Sequence, residues 1–100
     1  MAGVKRTAAT RGAYYRIGQN IRKHRLRCGM TQQELADLIG KNRADINWIE
    51  NGRSCLRIGS VYRVMKVLDM DIDDTFPSVE EITLLQDSEW LNHVKKWEEE

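Results

Sequence analysis

Apolar residues recur along this chain at the spacing of helices, and glycines separate the groups they form. The groups are Ile17, Ile21, Leu26 and Cys28; Leu35, Ala36, Leu38 and Ile39; Ile46 and Ile49; and Ile58, Val61, Tyr62, Val64, Met65 and Leu68. Spacings of three and four residues place much of each group on one helix face. Gly29, Gly40 and Gly52 are suited to end the first three helices. The pattern predicts an all-α chain whose first helix begins at Tyr14.

Capping residues precede the later helices. The candidates for N-cap positions are Thr31, Asn42, Asp71 and Ser78. Glutamates three residues after Thr31 and Ser78 complete two capping boxes, in which each residue's side chain accepts from the other's backbone N–H. Asp71 begins a short fifth helix through Phe76, and Ser78 begins a helical extension. We therefore expect five helices followed by a C-terminal helical segment.

Three regions follow from these boundaries. Residues 1–13 carry basic side chains without apolar periodicity and are interpreted as a flexible basic arm, which either contacts the phosphates of a partner or has no binding role. Residues 14–76 form the five-helix domain, and residues 77–100 the acidic helical extension. The extension places an apolar face at helical spacing, made of Trp90, Leu91, Val94 and Trp97. We expect this face to form a homodimer interface; the alternative is that it folds back on its own domain.

The third predicted helix has two distinct faces. At about 100° per residue, Ile46, Ile49 and Glu50 share the inner side. The outer side presents Arg43, Ala44, Asn47, Trp48 and Asn51. Arginine matches guanine, asparagine matches adenine, and small or apolar groups match the thymine methyl. This helix therefore has the composition of a recognition helix, although its exposed tryptophan could instead pack on the C-terminal extension or on a partner protein.

The charge distribution separates the chain into two parts. Residues 1–66 contain 14 of the 16 Lys and Arg residues and four of the 15 acids, a net charge of +10; residues 67–100 have a net charge of −9. Such a division favours a basic face for a polyanion and an acidic segment held away from it. The alternative is that the basic and acidic parts are solvated faces of the domain that attract each other.

At this point the sequence resembles the phage repressor and Cro family of helix-turn-helix proteins, also called XRE-like. The resemblance covers roughly residues 15–76. It is carried by Gly29-Met30-Thr31-Gln32, Glu34-Leu35-Ala36, Gly40, Ile46 and Ile49-Glu50-Asn51-Gly52. It implies a lambda-repressor-like domain that binds double-stranded DNA, usually as a dimer on a pseudo-palindromic operator.

The resemblance also implies roles for particular residues. Gln32 would contact a phosphate and brace the recognition helix, and Arg25 with Glu50 would form a salt bridge between helices one and three. The full set expected to bind DNA is Gln32, Lys41, Asn42, Arg43, Ala44, Asn47, Trp48, Asn51, Arg53 and Arg57. Asp45 is unexpected among them. It could accept from a cytosine amino group, pair with Arg43 or Lys41, or discourage wrong sequences.

The most consistent function is a cytoplasmic, sequence-specific transcriptional regulator of the repressor type. The alternative is a protein-interaction module, such as an antitoxin or adaptor, whose C-terminal helix binds a partner protein. An enzyme is not expected, because the sequence has no nucleophile–base arrangement and no glycine-rich phosphate loop. Cys28 and Cys55 have no metal-binding spacing, and we expect no metal and no cofactor. No apolar run is long enough to cross a membrane.

Overall fold

The chain folds as a series of helices joined by short turns. The computed structural model describes residues 8–53 and 56–81. Its helices are α1 (Ala8–Arg27), α2 (Gln32–Ile39), α3 (Arg43–Glu50), α4 (Ile58–Leu68) and α5 (Ile72–Thr75). A further helical turn begins at residue 79, and all secondary structure in the described ranges is helical. The predicted all-α, five-helix class is therefore confirmed.

Local capping sets most of these boundaries. Thr31 Oγ1 accepts from the Glu34 N–H at 3.0 Å, and the Glu34 carboxylate accepts from the Thr31 N–H at 3.0 Å. The same reciprocal bonds join Ser78 and Glu81, at 3.1 and 3.5 Å. Gly40 ends α2 in the left-handed conformation, with its N–H donating to the carbonyl of Ala36. These ends agree with the sequence prediction, because each depends only on residues within about one helical turn.

One core unites the helices. It contains the buried apolar residues Ile17, Ile21, Leu35, Ala36, Ile39, Ile46, Ile49, Val61, Val64, Met65, Leu68 and Met70. Helix α3 packs against both α1 and α2, and α4 closes the other side of α2. The core thus fixes the α2–turn–α3 unit on a base formed by α1 and α4. No helix within the described ranges is long and apolar enough to cross a bilayer.

Helix α1 differs from the prediction at its start. It begins at Ala8, six residues before the expected start at Tyr14, so residues 8–13 are helical and the proposed arm is wrong for that segment. Alanines favour helix strongly but contribute little to an apolar pattern, which explains the missed turns. Residues 1–7 lie outside the described ranges.

The inner faces of α1 and α2 are also narrower than predicted. Ile17, Ile21 and Arg25 share the inner stripe of α1, whereas Leu26 is 54% exposed and Cys28 is also exposed. A paired arginine therefore occupies the position that leucine was expected to fill. In α2, Leu38 is 60% exposed, because it lies about 100° from the centre of the stripe formed by Leu35, Ala36 and Ile39.

Helices α1 and α3 approach each other at positions where only glycine fits. A Cβ on Gly18 would lie 2.1 Å from the carbonyl oxygen of Ile49. Gly52 adopts a φ of 71°, and a Cβ there would lie 2.5 Å from the Cα of Tyr15. Because both positions are glycine, the backbone of α1 lies directly against the end of α3. These two contacts help to fix how α3 packs on α1.

Candidate nucleic-acid interface

Helix α3 is anchored on one side and open on the other. Ile46, Ile49 and Glu50 are 1%, 3% and 1% exposed, and they fix the helix to α1 and α2. The opposite side presents four exposed residues, Arg43, Ala44, Asn47 and Trp48. Trp48 is 54% exposed, so its ring is not part of the core. The two-faced helix predicted from the sequence is present.

Asp45 has a structural role that the sequence reading missed. Asn42 Oδ1 accepts from the Asp45 N–H at 2.9 Å, and Asp45 Oδ2 accepts from the Asn42 N–H at 3.3 Å. The two residues form a capping box at the start of α3. An acid in the first turn also interacts favourably with the helix dipole. The three-residue spacing of Asn42 and Asp45 is the sequence signal for this cap, with aspartate in the place that glutamate or glutamine takes in the usual capping box.

The buried ion pair of Arg25 and Glu50 joins α1 to the end of α3. Arg25 Nε donates to Glu50 Oε2 at 2.6 Å, and Arg25 Nη2 donates to Glu50 Oε1 at 3.0 Å. Arg25 Nη1 also donates to the carbonyl of Met30, at 2.7 Å, at the turn before α2. The pair expected from the family resemblance is thus in bidentate contact, and it ties α1, the turn and α3 together.

Amide side chains extend this connection to the surface. Gln32, the first residue of α2, donates to Glu50 Oε1 at 3.2 Å and to Asn47 Oδ1 at 3.5 Å. Asn51 donates to the carbonyl of Asn47 at 2.8 Å. Gln19 of α1 donates to the carbonyl of Glu50 at 2.8 Å. These bonds orient the outer amides of α3 from three helices.

Polar clefts lie beside α3 and beside the turn that precedes it. One, of about 480 Å³, is lined by Gln19 and Arg22 of α1, by Gln32 of α2, and by Asn47 and Asn51 of α3 and its cap, with the Arg25–Glu50 pair in its wall. Another, of about 400 Å³, is lined by Lys41, Arg57, Gly59, Ser60 and Arg63, at the turn before α3 and the start of α4. Both clefts carry arginine side chains, but only the first is lined by residues of α3 itself.

A different side of α1 is neutralised by the acidic segment. Arg16 Nε lies 3.3 Å from Glu81 Oε2, and His24 Nε2 lies 3.9 Å from Asp74 Oδ1. Asn20 donates to the carbonyl of Thr75 at 3.1 Å. The acids of α5 and the following turn therefore cover the side of α1 that faces away from the cleft containing Arg22.

Sequence comparison decides the family. A helix-turn-helix family model matches residues 21–74, which is more than half of the chain. The chain belongs to the helix-turn-helix family. A curated relative, an uncharacterized HTH-type transcriptional regulator from Archaeoglobus fulgidus, is 36% identical over 56 residues, which cover 56% of this chain and 80% of the relative. The chain is accordingly a helix-turn-helix transcriptional regulator, a class that is DNA-binding and is not a class of enzymes.

Solved structures show the same fold. The restriction-modification controller protein C.AhdI from Aeromonas hydrophila superposes with a TM-score of 0.59 at 25% identity, covering 63% of this chain and 91% of its own. The clp gene regulator ClgR from Corynebacterium glutamicum superposes with a TM-score of 0.63 at 22% identity, covering 85% of this chain and 92% of its own. The likeness to ClgR extends well beyond the residues matched by the family model.

The fold of this helix-turn-helix regulator brings most of the predicted residues to one region. Gln32, Asn47 and Asn51 are joined by hydrogen bonds, and Arg43, Ala44 and Trp48 lie exposed on the same short helix. Lys41 and Arg57 line the cleft at the start of α4, whereas Asn42 is occupied as a helix cap. Arg53 is exposed just after α3. The predicted dimer residues Trp90, Leu91, Val94 and Trp97 lie outside the described residues.

Proposed function

We propose that this regulator is a cytoplasmic repressor that binds a specific DNA sequence through α3, as a dimer on a pseudo-palindromic operator. The proposal rests on the outward face of α3, where four exposed residues have side chains of the types that contact bases. A buried ion pair, a capping box and glycine contacts hold this helix in place. A rigid helix with such side chains suits the major groove. Family membership supports the choice of duplex DNA as the ligand.

Within this proposal, Arg43, Ala44, Asn47 and Trp48 meet the bases. Arg43 has the fork needed for guanine, and Asn47 the amide needed for adenine. Ala44 and Trp48 offer apolar surface to a thymine methyl. Because the Asp45 carboxylate accepts from the Asn42 backbone, Asp45 positions the helix and does not read a base in this scheme.

The surrounding polar residues hold the DNA backbone. They are Gln32, Lys41, Asn51, Arg53 and Arg57 on the two sides of α3, with Asn42 acting through its cap. Phosphate contacts of this kind fix the register of a protein on DNA without reading its sequence. In this proposal Gln32 contacts the DNA backbone and also braces α3, because its amide donates to Asn47 and Glu50.

The dimer is proposed from the apolar face of Trp90, Leu91, Val94 and Trp97. A twofold contact there would set two α3 helices about one DNA turn, ~34 Å, apart. Sedimentation of the full chain tests this: replacing Trp90 and Trp97 together by alanine should yield monomers. The control, Trp48→Ala, should remain dimeric, and a dimeric double variant would reject the interface.

Selection of bound sequences from a random duplex pool tests the DNA-binding proposal directly. We expect an enriched motif with twofold symmetry and half-sites about one helical turn apart. Arg43→Ala should lose preference at one base pair and weaken binding by about 1–3 kcal/mol, whereas Arg53→Ala should weaken all sequences alike. Affinity for the selected duplex should fall steeply with salt. A flat salt response, or no enrichment, would refute the proposal and favour a protein-binding module.

A further inference from the structure

Two arginines outside the α2–turn–α3 unit line different clefts, one beside α3 and the other between the turn that precedes α3 and the start of α4. Arg22 lies on α1 in the cleft next to Gln32, Asn47 and Asn51. Arg63 lies on α4 in the cleft next to Lys41 and Arg57. Both side chains are exposed, and neither makes an ion pair with another residue of the described ranges. Within the described ranges, neither charge is neutralised by an acid.

One cleft borders the C-terminal half of α3, and the other borders the turn that leads into α3. Asn47 and Asn51, at and after its C-terminal half, line the cleft of Arg22. Lys41, two residues before its first residue, lines the cleft of Arg63. Eight residues at 1.5 Å each give α3 a length of about 12 Å, close to the width of the major groove, about 12 Å. Cations at both ends of a helix in that groove lie near the phosphates that border it.

The charge of each cleft also points to an anion. In the cleft of Arg22, the Arg25–Glu50 pair is internally neutral because it is bidentate and buried, which leaves Arg22 as the uncompensated charge. In the other cleft, the described lining residues are Lys41, Arg57 and Arg63 with the small residues Gly59 and Ser60, and none of them is acidic. Arginine forks favour phosphate oxygens in such settings.

We infer that Arg22 and Arg63 each bind a DNA phosphate, and that together they clamp the two ends of α3 in the major groove. This inference rests on the proposed function and extends it to α1 and α4. It gives those helices a direct part in binding, beyond supporting α3. Arg22 and Arg63 position the protein on DNA; they do not read bases.

Salt titration of the full-length protein on its selected duplex tests the inference. A phosphate contact contributes about 0.9 to the slope of log affinity against log salt concentration. Arg22→Ala and Arg63→Ala should each reduce that slope by about one and weaken all sequences alike, and the double variant should reduce it by about two. Circular dichroism and thermal unfolding should show that each variant retains the wild-type fold, because both side chains are exposed.

Matched controls lie on the same helices. Arg27→Ala removes an exposed arginine of α1 that lines the groove toward α5, and Lys66→Ala removes an exposed cation one turn along α4 from Arg63. Neither lines a cleft beside α3, and both should leave the slope nearly unchanged. If Arg22→Ala and Arg63→Ala behave like these controls, the clamp is rejected. Loss of slope in Arg53→Ala in the same experiment would then show that the proposed function still holds.

Phosphate ethylation interference adds a readout of position. In wild-type complexes, ethylation should interfere at phosphates on both borders of the groove. Arg22→Ala and Arg63→Ala should each abolish interference at a different phosphate, while the control variants keep the wild-type pattern. The clamp is wrong if both variants lose the same phosphate or neither loses any. Absence of salt-dependent binding by the wild type would reject the clamp together with the proposed function.

Discussion

The Arg25–Glu50 pair is expected to be a main anchor that holds α3 in place in this domain. Glu50→Ala removes a carboxylate that accepts two bonds from Arg25 and one from Gln32. Arg25 is 6% exposed, so it would keep its charge in a largely buried site, where the carbonyl of Met30 is its remaining hydrogen-bond partner among the described residues. Gln32 would lose its connection to the inner side of α3.

The expected cost is large for a chain of this size. Removing one partner of a buried ion pair destabilises a protein by about 3–5 kcal/mol, because the remaining charge is uncompensated. Proteins of this length are stable by about 5–15 kcal/mol. A loss of 3 kcal/mol corresponds to a fall in Tm of about 12 °C or more for a domain of roughly 100 residues. DNA affinity should fall further than stability alone explains, since Gln32 and α3 lose their shared anchor.

Urea unfolding followed by circular dichroism measures this cost. Arg27→Met serves as the control, because Arg27 is exposed on the same helix and should change stability by less than about 0.5 kcal/mol. The double variant Arg25→Met with Glu50→Leu should recover most of the loss, since apolar side chains of similar volume replace buried pairs at little cost. DNA binding of the double variant then reports the contribution of the hydrogen bond from Gln32 to Glu50, which this variant does not restore.

Two results would refute this reasoning. One is a loss below about 1 kcal/mol in Glu50→Ala, which would mean that water reaches Arg25 and solvates it. The other is a double variant as unstable as the single one, which would mean that the site depends on the shape of Glu50 and not on an unpaired charge.

Further predictions follow from the backbone contacts and caps. Gly18→Ala should destabilise the fold by about 3 kcal/mol or more, because its Cβ would lie 2.1 Å from the carbonyl oxygen of Ile49. The control Gly59→Ala, whose Cβ would meet no atom within 4 Å, should stabilise the fold by about 0.5–1 kcal/mol, and urea unfolding compares the two variants. Asp45→Ala should cost about 0.5–1 kcal/mol through loss of its cap and leave the selected sequence unchanged, and an altered sequence preference would show that Asp45 reads a base. Hydrogen bonds with the Thr31 backbone and side chain lower the pKa of Glu34. The stability that Glu34 contributes should therefore be present above its unfolded-state pKa and be lost as pH falls through its folded-state pKa. NMR titration of the Glu34 carboxyl carbon shows whether the pKa is lowered.

Several features were predictable because they depend on short stretches of chain. The capping boxes of α2 and of the turn at Ser78 involve residues three positions apart, so residue types alone indicate them. The inner and outer faces of α3 follow from helical periodicity, and Ile46 and Trp48 lie where that periodicity places them. The bidentate pair of Arg25 and Glu50, 25 residues apart, came instead from the family resemblance.

Other features required the tertiary arrangement. Leu26 is exposed because Arg25 takes the inner position on α1, and nothing in their local sequence makes an arginine preferable there. Asp45 has several possible roles in the sequence, and the reciprocal bonds with Asn42 add a capping role that its basic neighbours do not suggest. These cases share a cause: the sequence shows which side chains are charged, but a partner from another helix or a competing local bond decides how each charge is used.

Residue types and their spacing predict an all-α helix-turn-helix protein with a basic side and a polar, tryptophan-bearing third helix. Which exposed cations lie beside that helix depends on how the helices pack in three dimensions. Arg22 and Arg27 look alike in the sequence, yet one lines the cleft next to α3 and the other lines the groove covered by acidic residues. Helical periodicity assigns a residue to a face within its own helix, whereas the packing of α1, α3 and α4 across long separations in the chain determines what that face adjoins.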